Sequence, residues 1–118
     1  MHDFLSLADL DREAILELLD LADELKRKQH RREVYRPLEG KTLAMIFEKP
    51  SLRTRVTFEI GIFQLGGHGL FYQTQLGERE SVPDVARNLE RWIDGIVARI
   101  VRGVGIVVHA KIPVVVGV

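Results

Sequence analysis

Residues 40–72 read GKTLAMIFEKPSLRTRVTFEIGIFQLGGHGLFY, and the change of hydrophobic period inside them decides the fold. Thr42 to Glu48 is a short apolar run of strand length with a turn signal on each side, which predicts a buried strand. Lys49 and Pro50 stop it. Ser51 is a suitable helix N-cap, and Val56, Phe58, Glu59, Ile62 and Leu65 continue at helical spacing until Gly66 and Gly67 close the helix. His68 to Tyr72 then predicts a second strand.

The same reading extends in both directions. Upstream, Ile15, Leu18, Leu19, Ala22 and Leu25 recur at steps of three and four with charges between, predicting an amphipathic helix from Asp11 to about Gln29. Asp11 is its expected N-cap and Glu13 suits the first turn. The basic residues Lys26, Arg27, Lys28, Arg31, Arg32 and Arg36 fall at its C-terminal end and in the following loop, where cations favour the helix dipole. Without interleaved aromatics they read as a solvated helix end rather than a nucleic-acid patch. Downstream, Ser81 with Asp84 resembles a capping arrangement, and Val82, Val85, Leu89, Trp92 and Ile93 form a third helical stripe. Asp94 and Gly95 break it before a third strand, Ile96 to Val101. Helix, strand, helix, strand, helix, strand implies an α/β fold: a parallel sheet flanked by helices in three layers, with right-handed crossovers. Ligands on such sheets sit at the carboxyl ends of the strands.

Length and composition bound the rest. The 118 residues suit one compact domain, and 17 Lys plus Arg balance 17 Asp plus Glu, so no bulk charge points to nucleic acid or membrane. Any anion site must be local. With no cysteine there is no disulfide, thiol nucleophile or thiolate metal site. The start, MHDFLSLADLDREA, lacks the basic and apolar regions of a signal peptide, so a cytoplasmic location is the default expectation. Val101 to Val118 is apolar but interrupted by Arg102, His109, Lys111 and Pro113, and is too short to span a bilayer. A strand at Ile112 to Val116 would follow the third strand by only about ten residues, fewer than a parallel crossover needs. Hairpin, parallel strand and exposed sticky edge all stay open for it, and IPVVVGV suggests a further segment beyond Val118 that would cover it.

The chemistry-bearing segment is FEKPSLRTRVTFE, Phe47 to Glu59. It places Ser51, Arg53, Thr54 and Arg55 in the first turn of a helix that leaves a strand. Free backbone N–H groups, the positive end of the dipole, hydroxyls and guanidinium groups together suit phosphate oxygens. On physics alone a second reading stands beside it, in which Ser51 caps the helix and the arginines are solvated. No Gly-x-x-x-x-Gly-Lys precedes the helix, so Mg²⁺-nucleotide chemistry finds no support. His2, His30 and His68 read as structural or solvated, His109 receives no role, and no histidine pairs with carboxylates at metal-ligand spacing. Trp92, Phe58 and Phe63 read as core residues.

With these residues in view the sequence resembles the aspartate/ornithine carbamoyltransferase family. The family motif S-T-R-T-R, after a strand ending F-E-K or F-E-P, stands here as Ser51, Leu52, Arg53, Thr54 and Arg55 after FEKP. FEKP and Leu65-Gly66-Gly67-His68 resemble the ornithine branch, and the likeness continues through QLGERESVPDVARNLERWIDGIVAR, covering roughly residues 4 to 99.

The resemblance implies a domain that binds carbamoyl phosphate, for transfer to ornithine giving citrulline and phosphate, as in arginine biosynthesis. Ser51, Arg53 and Thr54 would hold the phosphate, position 52 would contribute its backbone N–H, and Arg99 would contact carbamoyl phosphate between carbonyl and phosphate. Leu52 lacks the hydroxyl of the usual threonine. Gln75 would reach carbamoyl phosphate bound by a neighbouring subunit of a homo-oligomer, a trimer in the family, and Arg79 would support it. No cofactor, metal or covalent intermediate is implied. The family's His-Pro-x-Gln segment, its second, ornithine-binding domain and its His-Cys-Leu-Pro motif do not stand in this sequence, and the end of the chain departs from the family pattern. The chain is therefore expected to be a truncated, degenerate or engineered amino-terminal domain, with residues 100–118 an atypical, shortened end. The alternatives are a non-catalytic phosphate-binding or self-associating domain, and a sibling carbamoyltransferase acting on aspartate or putrescine.

Overall fold

A computed structural model describes residues 7–75, 80–99 and 106–110. Its centre is β1 (Thr42–Phe47), the apolar run, in which Leu43 through Phe47 are all buried. Successive side chains of a strand point to opposite faces, so this strand is covered on both. Two parallel neighbours flank it: β2 (His68–Gln73) on one side and β3 (Gly95–Arg99) on the other. A fourth strand, β4 (Ile106–Ala110), pairs antiparallel with β3 and forms the edge, in the order β2-β1-β3-β4. The expected parallel sheet with flanking helices is thus present as three strands, with an antiparallel strand added. Of the expected third strand, residues 100 and 101 lie outside the described residues, as does the strand expected at Ile112 to Val116.

Three helices connect and flank the sheet: α1 (Arg12–His30), α2 (Leu52–Gln64) between β1 and β2, and α3 (Val82–Glu90) between β2 and β3. Asp11 caps α1 as expected, its carboxylate accepting from the Ala14 amide at 2.7 Å. Ser81 caps α3, its hydroxyl accepting from the Asp84 amide at 3.3 Å. The core lies on the face of the sheet that α2 covers, where Leu43, Met45 and Phe47 of β1, Val97 of β3 and Ile62 of α2 are buried together with Leu38. Gly69 of β2 permits the close approach of α2, because a Cβ there would stand 3.2 Å from Ile62 Cγ2 and 3.0 Å from Met45 Cε. At the amino end of the sheet Asp94 ties β3 to β1. Its carboxylate accepts from the Thr42 amide and its own amide donates to the Thr42 carbonyl, both at 2.9 Å.

Two helix ends share one geometry. After α2, the Gly66 amide donates to Phe63 and the Gly67 amide to Ile62, with Gly66 at φ 97°. After α1, the Arg32 amide donates to Gln29 and the Glu33 amide to Lys28, with Arg32 at φ 53°. Both are left-handed C-caps that satisfy the last carbonyls, but only the first uses the residue that adopts this conformation freely. Glu33 holds the second in place: hydrogen bonds from Arg31 and then Lys28 keep its carboxylate below its ordinary range.

The Gly66 position yields a direct expectation. A Cβ there would lie 2.8 Å from Arg36 Cβ and carry a left-handed φ. Gly66→Ala should therefore lower unfolding free energy by about 1–3 kcal/mol, read as a reduced urea midpoint. An unchanged midpoint would show that α2 can close by another geometry.

Several aromatic expectations change. Trp92 is 72% exposed and Phe63 76% exposed, whereas Phe58 packs against the core as expected. Trp92 leaves the apolar stripe because α3 ends at Glu90. The Trp92 and Ile93 amides both fold back to the Leu89 carbonyl, and Ile93 is the residue that is buried. Phe63 lies on a second apolar side of α2, with Leu52 and Ile60, that the described residues leave exposed. Among the described residues no helix is long and apolar enough to cross a membrane, and no cluster of histidine and carboxylate side chains is suited to a metal ion.

Candidate functional site

Parallel pairing brings the carboxyl ends of three strands to one level. Phe47, the last residue of β1, stands opposite Gln73 of β2 and Arg99 of β3. The chain then crosses this end of the sheet: the Glu48 amide donates to the Arg99 carbonyl at 2.9 Å and the Thr74 amide to the Phe47 carbonyl at 3.0 Å. Residues 48–50 carry β1 over into α2, so the amino terminus of α2 opens at the same end. Arg99 shares the face of Phe47, the side of the sheet on which α2 packs.

Ser51 occupies the N-cap position with extended backbone, φ −152° and ψ 97°, yet its side chain caps no amide. Its hydroxyl donates instead to the Thr54 hydroxyl at 3.1 Å. The expected N-cap position is therefore correct and the expected capping bond is absent. The first intrahelical bond runs from the Arg55 amide to the Ser51 carbonyl at 3.0 Å, which leaves the amides of Leu52, Arg53 and Thr54 without an intrahelical acceptor. Three amides and two linked hydroxyls thus converge on the positive end of a helix dipole.

The arginines of the motif part company here. Arg53 is exposed and, among the described residues, has no ion-pair partner. Arg55 is engaged: its Nε donates to Glu59 Oε2 at 3.3 Å, and its guanidinium lies 3.7 Å from the centre of the Phe71 ring. Phe71 in turn meets Phe47 edge-on, with ring centres 5.3 Å apart and planes at 86°. Leu52 is exposed on the first turn, so its side chain leaves its amide uncovered by the core. Gln75 is exposed two residues past β2, at the carboxyl end of the sheet, and Arg79 lies outside the described residues.

The structure thus brings Ser51, Leu52, Arg53, Thr54 and Arg99 to one end of the sheet, with Gln75 at its margin. Residue reading alone grouped Arg55 with the free donors. The signal against that grouping was Glu59, four residues on, at the spacing where a helix pairs opposite charges.

A strand-to-helix turn that opens amides without intrahelical acceptors, paired hydroxyls and a guanidinium with no ion-pair partner among the described residues, at the carboxyl edge of a parallel sheet, has donor chemistry that suits phosphate oxygens. The chain belongs to the family described as aspartate/ornithine carbamoyltransferase, carbamoyl-P binding domain, whose model matches residues 2–118. It is 56% identical over 100 residues to an ornithine carbamoyltransferase of Anoxybacillus flavithermus, covering 82% of this chain and 32% of that protein. It is 48% identical over 121 residues to one from a Vibrio species, covering 98% of this chain and 40% of that protein. In three dimensions it is similar to the ornithine carbamoyltransferase from Pyrococcus furiosus, with a TM-score of 0.81 and 46% identity over 83% of this chain and 32% of that one. The chain therefore spans 32% to 40% of the length of these relatives.

Proposed function

We propose that this chain is the carbamoyl-phosphate-binding part of an ornithine carbamoyltransferase of arginine biosynthesis, acting in the cytoplasm. The observation that carries the reading is the open first turn of α2, where the family's phosphate motif stands on amides without intrahelical acceptors, level with Arg99. In this reading Ser51, Arg53 and Thr54 hold the phosphate through hydroxyl and guanidinium donors, and Leu52 contributes only its amide. Loss of the usual hydroxyl at position 52 leaves that backbone contact intact. Arg99 lies between the phosphate and the carbamoyl carbonyl.

The chemistry this arrangement serves is attack by the uncharged amine of ornithine on the carbamoyl carbon. A C–N bond forms, the carbonyl oxygen gains negative charge in a tetrahedral species, the C–O bond to phosphate breaks, and the proton of the amine passes to the departing phosphate. Arg99 stabilises the developing oxyanion, and the α2 amides stabilise the charge gathering on departing phosphate. Holding both reactants in contact supplies a large further share of the rate. The acceptor site is contributed from outside the phosphate motif, by a second domain. Gln75, at the margin of the site, completes that of a neighbouring copy in a homotrimer.

The test is calorimetric titration of the 118-residue chain with carbamoyl phosphate and with inorganic phosphate, alongside its mass by light scattering. Saturable binding that prefers carbamoyl phosphate, in a trimer, is the expected result. A folded chain that binds neither anion overturns the reading.

A further inference from the structure

The last residue of the phosphate motif has a different task from the residues before it. Arg55 runs toward Glu59, one turn further along α2 and away from the open amides of the first turn. Its guanidinium rests on Phe71 of β2, and Phe71 rests on Phe47, the residue with which β1 ends. Three elements are therefore joined at one place: the first turn of α2, the carboxyl end of β1 and the adjoining stretch of β2. Phe47 is fully buried and cannot shift without disturbing the core. A planar guanidinium held between a carboxylate and a ring face has one orientation, which a flexible ammonium would not reproduce.

We infer that Arg55 is a positioning residue: by stacking on Phe71 and pairing with Glu59 it sets the angle at which α2 presents the Ser51–Thr54 turn to an anion, and it does not itself contact that anion. The inference rests on the anion reading of that turn for its functional meaning. The geometric half is measurable without any ligand. The alternative role for Arg55, a direct phosphate contact, is the one that residue type and sequence position suggest.

The experiment compares Arg55→Gln, Phe71→Leu and the double variant of the full chain with wild type, with Arg55→Lys as the conservative control. The first readout is amide hydrogen exchange relative to intrinsic rates at Arg55, whose N–H donates to the Ser51 carbonyl at 3.0 Å. It is taken where the amides of β1 stay protected in every variant. Each single variant should speed that exchange about two- to five-fold, and the double variant should add little to either, as expected for groups acting through one contact. Arg55→Lys should behave like Arg55→Gln. The second readout is affinity for inorganic phosphate and carbamoyl phosphate, where Phe71→Leu should weaken binding as much as Arg55→Gln without changing its salt dependence.

Additive effects on exchange, or exchange that accelerates equally in β1, would overturn the inference. It would also fall if Arg55→Gln lost phosphate affinity and salt dependence while Phe71→Leu bound like wild type, because Arg55 would then be a ligand. If wild type bound neither anion while the exchange coupling appeared, the functional reading would fail and the positioning role would stand.

Discussion

Phe47→Ala should lower the unfolding free energy of this domain by about 3–5 kcal/mol. Phe47 is 0% exposed, ends the central strand, and lies among Leu43, Met45, Ile62 and Val97. Truncation removes the transfer free energy of a buried ring and leaves a cavity that two flanking strands and a helix cannot collapse into. It also removes the edge-to-face contact with Phe71, a contribution of about 0.5–1.5 kcal/mol beyond area. A domain of this size holds about 5–15 kcal/mol in total, so the variant should sit near the edge of folding at room temperature. Urea denaturation followed by circular dichroism measures the effect, with Phe47→Leu expected to retain most of the stability because volume and apolarity are nearly kept. A loss below about 1 kcal/mol for Phe47→Ala, within the range of ordinary surface changes, would contradict a core centred on β1. The effect should reach the site as well, since the Phe47 carbonyl accepts from Thr74 and the next residue bonds to the Arg99 carbonyl.

The architecture was largely legible because the switch from strand period to helix period at Pro50 is a property of side-chain size and polarity, which the chain displays directly. The caps at Asp11 and Ser81 and the closure at Gly66 were legible for the same reason, each being local chemistry within four residues. Illegible features depended on partners distant in sequence or on backbone choices no side chain announces. Periodicity marks α2 as apolar on more than one side but does not say which side the sheet covers. Ile62 and Phe58 face the core, and Phe63 is exposed. Arg32 takes a left-handed φ with no glycine to signal it, because two backbone bonds and the Glu33 ion pairs offset its cost. The antiparallel β4 at Ile106–Ala110 was not expected from the sequence, and the strand expected at Ile112 to Val116 lies outside the described residues. Within the site, the donor-rich S-L-R-T turn was readable from residue type, and Glu59 signalled the engagement of Arg55 that separates it from Arg53. The stacking of Arg55 on Phe71, sixteen residues away, was not readable.

That separation makes Arg53 the sharpest test of the phosphate site. Arg53→Ala should weaken carbamoyl phosphate binding by about 1.5–3 kcal/mol, the range for a charge-assisted hydrogen bond, or roughly ten- to 150-fold in dissociation constant. Stability should move by no more than about 0.5 kcal/mol, because the side chain is exposed and pairs with nothing among the described residues. Inorganic phosphate should lose affinity by a similar factor if Arg53 grips the phosphate oxygens; a loss confined to carbamoyl phosphate would move the contact to the carbamoyl carbonyl. Arg53→Lys keeps the charge but not the two-pronged planar donor set, so it should recover part of the affinity and most of its salt dependence. Isothermal titration at two ionic strengths reads all of these at once. Unchanged affinity in Arg53→Ala would leave the α2 amides and hydroxyls as an anion-like arrangement without the charge that specific phosphate recognition needs, and the site assigned to the Ser51–Thr54 turn would have to be abandoned.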